Sequence, residues 1–213
     1  MIVLEQKVEI LSHSENIEKN IYEISKRYLA PNFPKNLLHS RVFLRNIPED
    51  QDMNHLLNHE YISISVKSSK RICDRFSNLG LHISECEPEN VRYGEEIYVV
   101  KPEYIPNREE CKNQHLASIY ELWEHSMIYA EDHFNRLLAL GVSLNDAKSV
   151  LPLSVCTEII VSGTIKKWLD YFSGYSSVPD KDFGVINEHI LSKVSELCPN
   201  LFDIPCTEME KNI

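Results

Sequence analysis

From about Glu109 to Leu140 the apolar side chains Leu116, Ile119, Tyr120, Trp123, Met127, Ala130, Phe134, Leu137 and Leu138 recur at spacings of three or four, and Gly141 closes the run. That is the period of an α-helical turn, so the stretch makes one long amphipathic helix. Its apolar stripe has to be covered by a core or by a partner.

The rest of the second half keeps the helical period. Ser143 caps a short helix, with Asp146 where a carboxylate reaches back to free N–H groups. A third helix is predicted from about Leu153 to Phe172, with Pro152 tolerated in its first turn. A fourth runs from about Asp182 to Leu197 and carries Phe183, Ile186, Ile190, Val194 and Leu197.

The first half reads differently. KVEILSHS, residues 7–14, alternates as a short strand, and in the following NIEKNIYEISKRYL the residues Ile17, Ile21, Ile24 and Tyr28 line one helix face. Pro31 and Pro34 then break the chain, and residues 40–55 show no clear period. EYISISVKSS, residues 60–69, is the clearest strand, with Ile62, Ile64 and Val66 on one face. SKRICDRFSNLG reads as a short helix ended by Gly80, LHISECEPEN as a loop around Pro88, and VRYGEEIYVVKP as a second strand stopped by Pro102. The expected fold class is α+β in a single domain over residues 1–213. An N-terminal part with an antiparallel sheet and helices, about 1–105, precedes a C-terminal helical part, about 106–204.

The formal charge of −10, from 22 Lys+Arg against 32 Asp+Glu, offers no basic stripe for a nucleic-acid backbone, so DNA and RNA are excluded as general partners. A few local cations are still enough to hold a small phosphate ligand. Six scattered cysteines form neither a C-x-x-C pair nor a zinc spacing. No basic stretch followed by a long apolar run opens the sequence, and no run approaches the roughly 18 apolar residues of a spanning helix. A cytoplasmic protein without a membrane segment is the expectation.

Generic chemical motifs are missing: there is no P-loop, G-x-G-x-x-G, H-E-x-x-H or G-x-S-x-G. Glu121, His125 and His133 share a helix but lie beside its apolar stripe, which makes them solvated residues rather than metal ligands. No metal site is expected. Taken singly, His55 and His59 read as polar residues near a strand start, Arg92 as a surface cation and Lys148 as a helix-surface lysine.

Taken together and in order, VEILSHSENIEKNIYEISKRY, NHEYISISVKSSKR, VRYGEEIYVVKPEYI, DAKSVLPLSVCT and the late Cys198, Pro199 and Phe202 resemble the flavin-dependent thymidylate synthases, the ThyX family, over nearly the full chain. Members of that family are homotetramers that bind FAD between subunits. They are reduced by NADPH and move a one-carbon unit from methylenetetrahydrofolate to carbon 5 of dUMP. The resemblance implies a pyrimidine nucleotide partner and a homo-oligomer, with the tetramer as the family's form. It places His59 at the motif histidine beside the flavin and His82 at the central histidine of the family's R-H-R, both as cofactor-binding residues. Arg92 of the "RY" pair and Lys148, in place of the arginine of "AR.VLP", become the substrate-binding cations. The family's chemistry needs no enzyme nucleophile in its usual account, and no catalytic residue is assigned.

Several family positions are changed. Leu81 and Ile83 flank His82 where arginines belong, Asn90 lies near a missing serine, Thr164 replaces a motif asparagine, and Tyr175 replaces a nucleotide-binding arginine. Each charge-assisted hydrogen bond is worth about 1.5–3 kcal/mol, so these losses bear directly on affinity. Arg71, Arg75, Lys166 and Lys167 are the cations available to compensate. Three alternatives stand beside an orthodox synthase. One is a related reaction on another pyrimidine nucleotide. Another is a catalytically lapsed chain of the same fold that acts as a partner or regulatory subunit. The third is an unrelated helical interaction protein.

Overall fold

The computed structural model describes residues 1–30, 40–50, 52–86, 96–175 and 180–202. In chain order the elements are β1 (Ile2–Leu4), β2 (Lys7–His13), α1 (Ile17–Tyr28), α2 (Ser40–Asn46), β3 (Tyr61–Ser69), α3 (Lys70–Arg75), β4 (His82–Cys86), β5 (Tyr98–Val100), α4 (Gln114–Ala139), α5 (Leu144–Ala147), β6 (Cys156–Thr164), α6 (Ile165–Tyr175) and α7 (Lys181–Leu197). Short 3-10 turns complete them, among them Asn54–His59 before β3 and Lys148–Val150 after α5. Four strands form an antiparallel sheet in the order β2-β3-β6-β4, and β1 pairs in parallel with β5. The α+β class expected from the sequence is therefore what the chain adopts.

Three expectations need correction. The predicted helix over 153–172 is a strand followed by a helix. In Cys156–Thr164 the side chains of Thr157, Ile159 and Val161 are buried while Glu158, Ile160 and Ser162 are half-buried, a period of two carried by β-branched residues. Pro152 accordingly does not start a helix: its carbonyl accepts the Val155 N–H at 2.9 Å in a turn that leads into β6. The segment LHISECEPEN, read as loop, begins with β4. Finally, α2 and two 3-10 turns occupy much of the unassigned 40–55 stretch.

The chain divides into two compact units, Met1–Lys7 with Lys67–Arg75 and Glu85–Ile159, and Val8–Val66 with Phe76–Ser84 and Ile160–Ile213. In the first unit the apolar stripe of α4 supplies Trp123, Met127 and Phe134 to a core shared with Ile97, Val99, Ile105 and Ala147. Asn113 caps α4 by accepting the Leu116 N–H at 2.9 Å, so the helix starts five residues later than the periodicity alone placed it. Gly141, at φ 85°, ends it. Glu131 on α4 accepts the Ile97 N–H at 2.8 Å and so ties the helix to the start of β5.

In the second unit, Ile62, Ile64 and Val66 of β3 and Ile165 and Trp168 of α6 are fully buried. Phe76 stands 5.3 Å from Phe183, and Phe172 5.9 Å from Phe202, both edge to face. Asn200 donates to both carboxylate oxygens of Glu18, at 2.6 and 2.7 Å, which fastens the stretch after α7 to α1. Among the described residues no helix is long and apolar enough to cross a membrane.

Candidate functional site

Two chain corners of the second unit are joined by hydrogen bonds. The first is the passage from the Asn54–His59 turn into β3, and the second is the passage from β6 into α6. Ile165 N–H donates to the Glu60 carbonyl at 2.9 Å, and the Thr164 hydroxyl donates to Asn58 Oδ1 at 2.9 Å. The buried Trp168 indole N–H donates to the Ile62 carbonyl at 3.2 Å. Thr164 also accepts the Lys167 N–H at 3.4 Å, closing the first turn of α6 in the manner of an N-cap. These contacts hold Asn58, His59, Glu60, Thr164 and Lys167 in one small region of the unit.

His82 joins this region from the start of β4. Its Nε2 lies 3.4 Å from Lys167 Nζ. An ammonium can only donate, so the contact requires a neutral imidazole with its proton on Nδ1. Protonated, the two groups would repel, and an anion placed against both would relieve that repulsion. The neighbouring Lys166 is committed to an ion pair with Asp170 on the same helix. His59 is exposed at the end of its turn, and His55, one helical turn earlier, meets Tyr28 edge to face at 5.1 Å.

Leu81, next to His82 in the chain, packs against β6. A Cβ built on Gly163 would come within 2.5 Å of Leu81 Cδ2, so the leucine lies directly on bare β6 backbone. A larger residue at 163 would have to push it away.

Lys148 belongs to the first unit and is half-buried at the C-terminal end of α5. The sequence places it there for local reasons. Ser143 Oγ accepts the Asp146 N–H at 3.2 Å and donates to Asp146 Oδ2 at 2.7 Å, and the Lys148 carbonyl accepts the Leu151 N–H at 3.0 Å. Arg71 and Arg75 ride on α3 in the same unit. Arg92 lies outside the described residues.

The structure thus brings His82 and Lys167 together and binds Thr164 to Asn58. Two participants were not singled out in the sequence, Asn58 and Glu60. Glu60 is only 5% exposed, and among the described residues no donor reaches its Oε2. A signal for its burial was present, because Glu60 shares the phase of Ile62, Ile64 and Val66, the inward face of β3.

A family model, thymidylate synthase complementing protein, matches residues 18–200. The flavin-dependent thymidylate synthase of Haloarcula marismortui is 23% identical over 168 residues, covering 74% of this chain and 64% of that protein, so the match takes in somewhat under two thirds of the relative's length. Among solved structures, the UMP/dUMP methylase PolB from Streptomyces cacaoi, bound with 5-Br dUMP, has the same fold. The match has a TM-score of 0.75 over 95% of this chain and 96% of that one, at 13% identity.

Proposed function

The chain belongs to the family of thymidylate synthase complementing proteins, and from that premise we propose that it is a flavin-dependent enzyme that transfers a one-carbon unit from methylenetetrahydrofolate to dUMP or another pyrimidine nucleotide. FAD is the cofactor of this reading, NADPH its reductant, and a homo-oligomer its working form. When bound, the flavin supplies the redox chemistry that no side chain here provides. The chain's own contribution is to place cations and hydrogen-bond partners around the ligands.

The observation that carries the reading is the meeting of Lys167 with His82 at 3.4 Å. Leu81 and Ile83 leave His82 without its flanking arginines, and α6 brings a replacement cation to the same imidazole from a different part of the sequence. In the same corner Glu60 Oε2 is buried, and among the described residues no donor reaches it. His59 and His82 are assigned to the flavin. Arg92 and Lys148 are assigned to the nucleotide phosphate, with lysine giving one charge but not the planar bidentate fork of arginine.

Titrating the purified chain with FAD, followed by flavin fluorescence, tests this directly. Saturable binding in the micromolar range is expected, and no binding at high micromolar FAD would sink the enzyme reading. Tritium release from dUMP labelled at carbon 5 then separates dUMP chemistry from action on another pyrimidine nucleotide.

One observation favours the second reading, a lapsed chain that serves as a partner or regulatory subunit. Leu81 fills the space over Gly163 with an apolar side chain where the family would carry an arginine. On that reading FAD does not bind, and Lys167 is only a surface neighbour of His82.

A further inference from the structure

We infer that two copies of this chain pair along the open edge of β2, antiparallel about a two-fold axis at Leu11, so that the four-stranded sheet of one copy runs on into that of the other. The inference deepens the homo-oligomer of the reading above by naming its contact, and it draws on no ligand. β2 stands at one end of the order β2-β3-β6-β4, so among the described residues no strand pairs with its other side. Ser14 N–H donates to the Tyr61 carbonyl at 3.0 Å, and Tyr61 N–H donates to the Ser14 hydroxyl at 3.1 Å. In an antiparallel ladder the bonded residues recur at every second position. Val8, Ile10 and Ser12 therefore turn their backbone groups toward β3, and Glu9, Leu11 and His13 turn theirs outward. Proteins commonly blunt such an edge by shortening it, bending it with a bulge, interrupting it with proline or covering it. β2 is seven residues long with neither proline nor glycine, and Leu11 on it is 52% exposed.

The charges along the strand select a second copy as the occupant. Lys7, Glu9, Leu11, His13 and Glu15 are all exposed, and antiparallel pairing about Leu11 sets Glu9 against His13, Lys7 against Glu15 and Leu11 against its own copy. Opposite charges and a matched apolar pair then face each other across the strands. The outward backbone groups of Glu9, Leu11 and His13 meet in the same register, which gives about six hydrogen bonds. Other registers do worse. A slip of two residues one way sets Lys7 against His13, two basic side chains, and a slip of two the other way sets Glu9 against Glu15. A slip of one turns outward groups toward inward ones, and the bonds are lost. Parallel pairing sets Lys7 beside Lys7 and Glu9 beside Glu9.

Sedimentation equilibrium of the full chain tests the contact. The wild-type chain should assemble at micromolar concentration with the mass of two chains or a multiple of two. Leu11→Lys sets like charges against each other at the axis and should halve that mass, with circular dichroism confirming the fold. Because Leu11 is exposed, the new lysine meets water in the single chain. If Leu11→Lys does not fold, Glu9→Lys takes its place and should weaken self-association at least about threefold, and adding His13→Glu should restore it. A monomeric wild-type chain, or a mass and self-affinity that these substitutions leave unchanged, overturns the inference. FAD titration of the wild-type chain keeps the two readings apart. FAD binding together with a mass that Leu11→Lys leaves unchanged removes only this contact, whereas a halved mass without FAD binding keeps the contact and sinks the flavin reading.

Discussion

Lys167 reaches His82 only because α6 begins where it does, and the consequence belongs to a single side chain. Lys167→Ala should weaken FAD binding by roughly tenfold or more, the equivalent of one charge-assisted hydrogen bond at about 1.5–3 kcal/mol. Lys167→Arg should restore most of it. Fluorescence titration reads the affinity, and an unchanged melting temperature shows that the half-buried lysine is not needed for folding. Unaltered FAD binding in Lys167→Ala would remove this residue from the site. The chain order of motifs singled out His82, and Lys167 stood among several spare cations. Their meeting was not, because they are 85 residues apart and the contact exists only when β4 and α6 are both in place. Glu60 was hidden for another reason: the strand period marks it as inward-facing, but whether a buried carboxylate finds a donor depends on every neighbour at once.

At the scale of elements, α4 followed from its periodicity, apart from a start five residues later at the Asn113 cap, because a 26-residue helix repeats its pattern often enough to be unmistakable. Phe134, 1% exposed on its apolar stripe, should cost about 3–5 kcal/mol as Phe134→Ala in urea unfolding. Leu122, 72% exposed on the same helix, should cost no more than about 0.5 kcal/mol as Leu122→Ala. Similar losses at both positions would show that the exposed side of α4 is covered in solution. The β6 to α6 passage was misread because CTEIIVSGT and IKKWLDYFSGY are apolar in succession, and a short apolar run fits strand or helix equally well. What separates them physically is Thr164, whose hydroxyl serves the α6 turn and Asn58 together. Thr164→Val should therefore destabilise the chain by about 1 kcal/mol and loosen the corner that holds Lys167. Denaturation of the variant measures the first effect and FAD titration the second.

For the whole molecule, three buried thiols set a common pH response. Desolvation pushes the Cys73 and Cys198 thiols up from 9.0 to about 12, and that of Cys156 to about 11. In the unfolded chain each gives up its proton near 9.0, so the folded chain binds more protons above that pH. Their contribution is fully present below about pH 9 and is lost as the pH rises toward the folded values. The urea midpoint should fall on raising the pH beyond 9.0, and Cys198→Ala should flatten that fall while lowering the midpoint at neutral pH. A slope identical to wild type would assign the alkaline loss to other groups. The sequence by itself determined the α+β class, the long helix, the clearest strand and the family, because these rest on periodicity, caps and the order of motifs along one chain. It also determined Lys148 at its helix end, through the Ser143 cap a few residues away. Only the tertiary structure decided that Leu81 covers Gly163, that Lys167 meets His82 and that Glu60 is buried with no donor at its Oε2 among the described residues. Each of these is a property of residues distant in the chain, and close packing brings such residues together without leaving a local pattern that sequence spacing can report.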